Sequence, residues 1–63
     1  MAYEKQHSVA AEVDRRFPKD RRNPAIQEAR MVYNMTLLSG LSPEEAERET
    51  IGWVRPRHPG ARL

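Results

Sequence analysis

Sixty-three residues allow one small domain and no more. The chain has no cysteine, which excludes disulfides, thiolate metal ligands and thiol chemistry. Eleven Lys and Arg against nine Asp and Glu leave a net charge of +2, too mild to argue for nucleic acid by itself, so the distribution of charge matters more than its total.

Fifteen large apolar residues, from Tyr3 to Val54, are enough for one compact core and too few to enclose a cofactor cavity as well. No cofactor is expected, and a lone copy is expected to be only narrowly stable, leaving room for a dimer or a stabilising partner. With neither an export signal nor a long apolar run, the expected address is the cytoplasm and no membrane partner is expected.

The first predicted helix runs from about Tyr3 to Arg16. Ala10, Val13 and Phe17 fall at i, i+3 and i+7 on one face, and Tyr3 and the His7 position extend that stripe backwards. Glu12 and Arg16 are an i, i+4 pair on a more exposed side. Phe17-Pro18 ends the helix, because a residue before proline is pushed out of the α region.

Pro18 to Asn23 is a polar connection. Asn23-Pro24 then starts a second helix, the asparagine capping free amides and the proline suiting the first helical position. This helix extends to about Ser39. Ile26, Ala29, Tyr33 and Leu37 make one apolar stripe, and Met31, Met35 and Leu38 make another beside it. So wide an apolar arc predicts a central helix packed from two sides.

Gly40 is the expected stop, in the left-handed conformation that closes a helix. Ser42-Pro43-Glu44-Glu45 follows at once with the pattern of a capping box, Ser at the cap and Glu three residues on. The third helix is predicted to run to about Ile51, with Gly52 as its cap and Trp53 and Val54 folding back onto the bundle. From Arg55 to Leu63 the chain is expected to be an extended, mobile Arg/Pro tail. The expected architecture is all-α: a compact three-helix bundle over residues 1–54, containing a helix-turn-helix-like αα-hairpin, with a basic tail over 55–63.

Catalytic inventories are missing. His7 and His58 stand alone in the first helix and the tail, without the further ligands that zinc requires. Ser8, Ser39 and Ser42 have no nucleophile elbow around them and read as turn or cap residues. The glycines are too scattered for a phosphate loop. Glu44 and Glu45 lie in a helix's first turn, where negative charge complements the macrodipole, and Glu44 stands four residues before Arg48. No enzyme is expected.

Met35 to Arg48 resembles the turn of DNA-binding helix-turn-helix proteins, with Gly40 at the turn glycine, Leu41 at the apolar turn position and Ser42 capping the candidate recognition helix. The resemblance covers about a third of the chain, and any tight αα-hairpin favours the same residues. It implies a helix that enters a groove. The groove-facing positions would be Ser42, Pro43, Glu44, Glu47, Arg48 and Ile51. Four glutamates and one arginine between Glu44 and Glu49 net −3, which phosphates repel.

Basic residues collect elsewhere. Arg15, Arg16, Lys19, Arg21 and Arg22 surround the first connection against Asp20 alone, and Arg55, Arg57 and Arg62 follow in the tail. The chain is expected to be bipolar, with an Arg-rich loop at one end and the acidic patch Glu44, Glu45 and Glu47 at the other. These observations lead to a small non-enzymatic adaptor, regulator or inhibitor docking on a larger protein or complex through Arg15, Arg16, Lys19, Arg21 and Arg22 on one side and Glu44, Glu45 and Glu47 on the other, with Arg55 and Arg57 as a third contact. The alternative is a nucleic-acid-binding regulator that grips phosphates through the basic loop and tail. Self-association, with the acidic helix of one copy on the basic loop of another, fits the same charges.

Overall fold

The computed structural model describes the backbone from Ala2 to Leu63 and the side chains from Ser8 onward. The extension of the first apolar stripe through Tyr3 and His7 concerns side chains outside the described residues. Three helices make up the fold: α1 (Ala2–Arg16), α2 (Pro24–Leu38) and α3 (Pro43–Arg57). No strand occurs among the described residues, and the protein is an all-α three-helix bundle measuring 39 × 22 × 13 Å.

α2 is central, packed against both α1 and α3. It starts as its sequence dictates: the Asn23 side chain accepts hydrogen bonds from the amides of Ala25 and Ile26, at 3.1 and 3.2 Å. α2 closes at Ser39, and Gly40 takes a φ of +103°, a conformation that a Cβ would strain. Ser42 then caps α3 in a complete capping box: its Oγ accepts from the Glu45 amide at 3.3 Å, and the Glu45 carboxylate reaches back to Ser42.

The core is built from Val9, Val13 and Phe17 of α1 and its end, Ala25, Ala29, Tyr33 and Leu37 of α2, and Ala46, Thr50 and Val54 of α3. Phe17 and Tyr33 meet edge to face, with ring centroids 5.4 Å apart. Thr50 is fully buried and satisfies its hydroxyl by donating to the Ala46 carbonyl at 2.7 Å. The α1 stripe is set by Val9 rather than Ala10, which is exposed; Val9, Val13 and Phe17 at i, i+4 and i+8 follow the helix's slower drift. Ala25 replaces Ile26 at the start of the α2 stripe, with Ile26 only partly buried.

α3 runs well beyond its expected stop. Gly52 lies within the helix, and Arg55, Pro56 and Arg57 form its last turn rather than the start of a tail. The register explains this: Ala46, Thr50 and Val54 recur every four residues on the buried face, so packing of Val54 carries the helix past the glycine. Pro56 is tolerated because the carbonyl it leaves without a partner, four residues back, belongs to the exposed Gly52, where water serves instead and no Cβ crowds the turn. His58 caps the helix, its amide donating to the carbonyls of Val54 and Arg55. The chain then turns through Gly60, at a φ of +85°, and lays Ala61 and Leu63 against the core.

Candidate functional site

The charged residues singled out by the sequence fall into two groups. The first is engaged in ion pairs and caps within the chain. Arg15 chelates Glu12 through Nε and Nη2 at 3.0 and 2.6 Å, so Glu12 pairs with Arg15 and not with Arg16. Arg16 instead crosses to α3, where it binds the Glu47 carboxylate while its guanidinium lies 4.3 Å from the centre of the Phe17 ring. This contact corrects the bipolar reading: part of the basic cluster and part of the acidic helix neutralise each other within one chain. Glu45 is held in the capping box, and Arg57 binds both oxygens of Glu28 at 3.1–3.2 Å. His58, expected to be free in a loose tail, joins the same carboxylate through Nε2 at 2.9 Å.

The second group remains exposed. Lys19, Arg21, Arg22, Glu44 and Arg55 make no ion pair among the described residues, and Glu44 and Arg48 do not pair with each other. The loop carrying Arg21 and Arg22 is nonetheless ordered. The Arg22 amide donates to the Asp20 carboxylate at 3.0 Å, and Gln27 Nε2 donates to the carbonyls of Asp20 and Arg21 at 3.3 and 2.9 Å. Arg30 ties α2 to the end of α1 by donating to the Phe17 carbonyl and to Asp14. That bond, the nearby Arg30 charge and Lys19 hold the Asp14 carboxyl below its usual range. Two basic side chains therefore project from a pinned backbone, which lowers the ordering cost of any contact they make.

A polar node joins all three helices beneath this surface. The Tyr33 hydroxyl donates to Glu12 at 2.9 Å and lies 3.5 Å from the Pro43 carbonyl. Burial first, and the adjacent Glu12 carboxylate second, push the phenol up to about 12. The hydrogen bond from Arg15, aided by the one from Tyr33, pulls Glu12 below its ordinary value. Every polar group of this node is satisfied internally, so it serves the fold.

The apolar side chains present a site that charge inspection missed. Met31, Met35 and Leu38, expected to pack as the second stripe of α2, are instead 63, 60 and 39 % exposed. Trp53, expected to fold back onto the bundle, is 57 % exposed, with the Arg57 guanidinium 5.8 Å from its ring centre. These residues are neighbours. Glu28, Met31, Val32, Met35 and Thr36 on α2 and Trp53 on α3 line a groove of about 320 Å³. Trp and Met are among the residue types enriched at protein interfaces, because they present large apolar surface, which in Met is also adaptable. The width of the α2 arc was the available sequence signal for this face; what it did not say is that the chain's own helices cover only one half of it.

No cluster of three or more His, Cys, Asp or Glu able to hold a metal ion occurs among the described residues, and no described helix is long and apolar enough to cross a membrane. Comparison with known proteins gives no match: no family model fits the chain, and no curated protein or solved structure is similar to it.

Proposed function

We propose that this protein is a non-catalytic adaptor, regulator or inhibitor that acts by docking onto protein surfaces. The observation that carries the reading is the exposed apolar face of Met31, Met35, Leu38 and Trp53. Leaving these four side chains in water forgoes burial worth roughly 1.5–3 kcal/mol each, a cost that a binding surface recovers on contact. The pinned Arg21–Arg22 loop supports a second, polar contact with an acidic surface of a larger partner, through the planar bidentate geometry of arginine. Arg16 and Glu47 bind each other, so as anchors they would reach a partner only by giving up that pair.

Capture from the lysate of the native host by tagged wild-type protein, with and without nuclease, tests this reading. A specific protein retained after nuclease and lost from a Met31→Asp/Met35→Asp variant supports docking through the apolar face. Retention by that variant argues against it.

A nucleic-acid-binding role is the second reading, favoured by the exposed Lys19, Arg21 and Arg22, which make no ion pair among the described residues. It requires binding that weakens steeply with added salt and disappears in Arg21→Glu/Arg22→Glu; salt-insensitive binding rejects it.

A further inference from the structure

We infer that the apolar face of α2 is the seam of a two-fold dimer, in which α2 packs antiparallel against α2 of a second copy with Met35 on the axis. This inference rests on the docking reading above and names the occupant of its apolar face.

The spacing of the exposed residues is the first argument. Glu28, Met31, Met35 and Leu38 are separated by three, four and three residues, the pattern of a seam that receives one other helix. With a rise of about 1.5 Å per residue, Met31 lies about 6 Å on one side of Met35 and Leu38 about 4.5 Å on the other. An antiparallel copy centred on Met35 therefore sets Met31 against Leu38 of the second copy, Met35 against Met35, and Leu38 against Met31. Every apolar residue meets an apolar one. Centring on Met31 instead would press Met35 against the Gln27–Glu28 end of the second helix. A parallel pair would place the two Glu28 side chains opposite each other.

Charge gives the second argument. The rim of the face carries Glu28 and Arg57, already bonded to each other, Arg48 and Glu49 beside Trp53, and Asp14, Arg30 and Lys19 beside Met31. Acids and bases nearly balance along this border. A strongly acidic or strongly basic partner gains little from it, whereas an identical copy meets only slight repulsion. In the antiparallel arrangement the two Glu28 groups lie about 21 Å apart along the helix axis.

Area is the third. Met31, Met35, Leu38 and Trp53 leave on the order of 500 Å² of apolar surface in water, the size of a functional patch on a small monomer. Half-buried Val32 and Thr36 and the polar rim bring each copy toward the roughly 800 Å² that a standard interface takes from one partner. Pairing covers Met31, Met35 and Leu38 and leaves the two Lys19–Arg22 loops, near the N-terminal ends of α2, at opposite ends of the dimer.

The absence of native cysteine makes the geometry directly testable. Sedimentation equilibrium at concentrations up to about 200 µM is expected to give twice the 7.3 kDa chain mass. Met35→Asp is expected to sediment as a helical monomer, its dimer affinity at least about 30-fold lower. Under mild oxidation Met35→Cys should cross-link to itself. Met31→Cys and Leu38→Cys should cross-link when mixed and far less when alone.

A wild-type monomer at the highest concentration overturns the dimer, as does cross-linking that ignores position. The lysate capture then separates the two readings. Capture lost in Met31→Asp/Met35→Asp keeps the docking face and assigns it to a foreign chain. Capture retained in that variant removes both.

Discussion

Replacing Tyr33 by Phe removes one hydroxyl and leaves the edge-to-face contact with Phe17 in place. The lost bond is a donation to the Glu12 carboxylate at 2.9 Å, and hydrogen bonds to charged acceptors contribute about 1.5–3 kcal/mol. Glu12 keeps both bonds from Arg15, so its carboxylate is not orphaned and the loss falls at the low end, about 1.5 kcal/mol. For a chain of 63 residues that corresponds to a fall in Tm of about 10 °C near neutral pH.

The same phenol makes a second, opposite expectation in alkali. Its folded pKa of about 12 stands above the ordinary 10.0, so folding favours the neutral form. That contribution is fully present below about pH 10 and is lost as pH rises towards 12, when the unfolded chain ionises first. Two pH units correspond to about 3 kcal/mol, of which about half is gone by pH 11. The wild type is therefore expected to lose its advantage over Tyr33→Phe near pH 11 and to fall below it at higher pH. Thermal melts followed by far-UV circular dichroism across this range measure both effects. A Tyr33→Phe protein within about 2 °C of wild type near neutrality would refute the node's role. So would a variant whose stability declines in alkali as steeply as the wild type's.

Ser42→Ala removes the oxygen that accepts from the Glu45 amide and opens the capping box. It is expected to cost about 1 kcal/mol, with Ser42→Asp restoring most of the loss in the same melt. On the acid side, Glu12 is held below its usual value chiefly by Arg15, so its contribution is present above about pH 4.5 and is lost as pH falls through the folded value. Glu12→Gln should flatten the acid limb of the stability profile; an unchanged slope would assign that limb to other carboxylates.

The helices and their starts were legible because they rest on local chemistry. Asn23-Pro24 and Ser42-Pro43 cap their own amides within three residues, and Gly40 reverses the chain without help from elsewhere. The end of α3 was not legible. Gly52 and Pro56 both signal a stop, and what overrides them is the burial of Val54 against the rest of the core, a tertiary effect. The ion pairs show the same division. Arg16–Glu47 and Arg57–Glu28 join residues about thirty apart in sequence, so only the packing of α1 and α3 beside α2 reveals that these charges are spoken for. Arg21 and Arg22, whose loop is tied down by its own neighbours, stay where a local reading puts them.

The apolar arc of α2 brings these two kinds of information together. A helix packed on one side needs a stripe such as Ala29, Tyr33 and Leu37, and the polar residues opposite then face water. α2 has that stripe, yet on its outer half it carries Met31, Met35 and Leu38. Neither α1 nor α3 needs them: α1 is fastened through Arg30 and Tyr33, and α3 through Ala46, Thr50 and Val54. The buried set is itself rich in small residues, with Ala25, Ala29 and Ala46 drawing backbones together where larger side chains would supply more apolar burial. Three large apolar side chains of the central helix thus stand largely outside its own core, while Leu37 lies within it. In a chain of this size, moving that surface outward lowers the stability of the single copy and raises what is gained when the face is covered. The wide arc is therefore one continuous requirement with two clients, the chain's own flanking helices on one half and a second helix on the other. Met35→Asp should separate them, abolishing association while leaving the Tm measured at concentrations too low for the wild type to pair nearly unchanged, since Met35 already stands 60 % exposed.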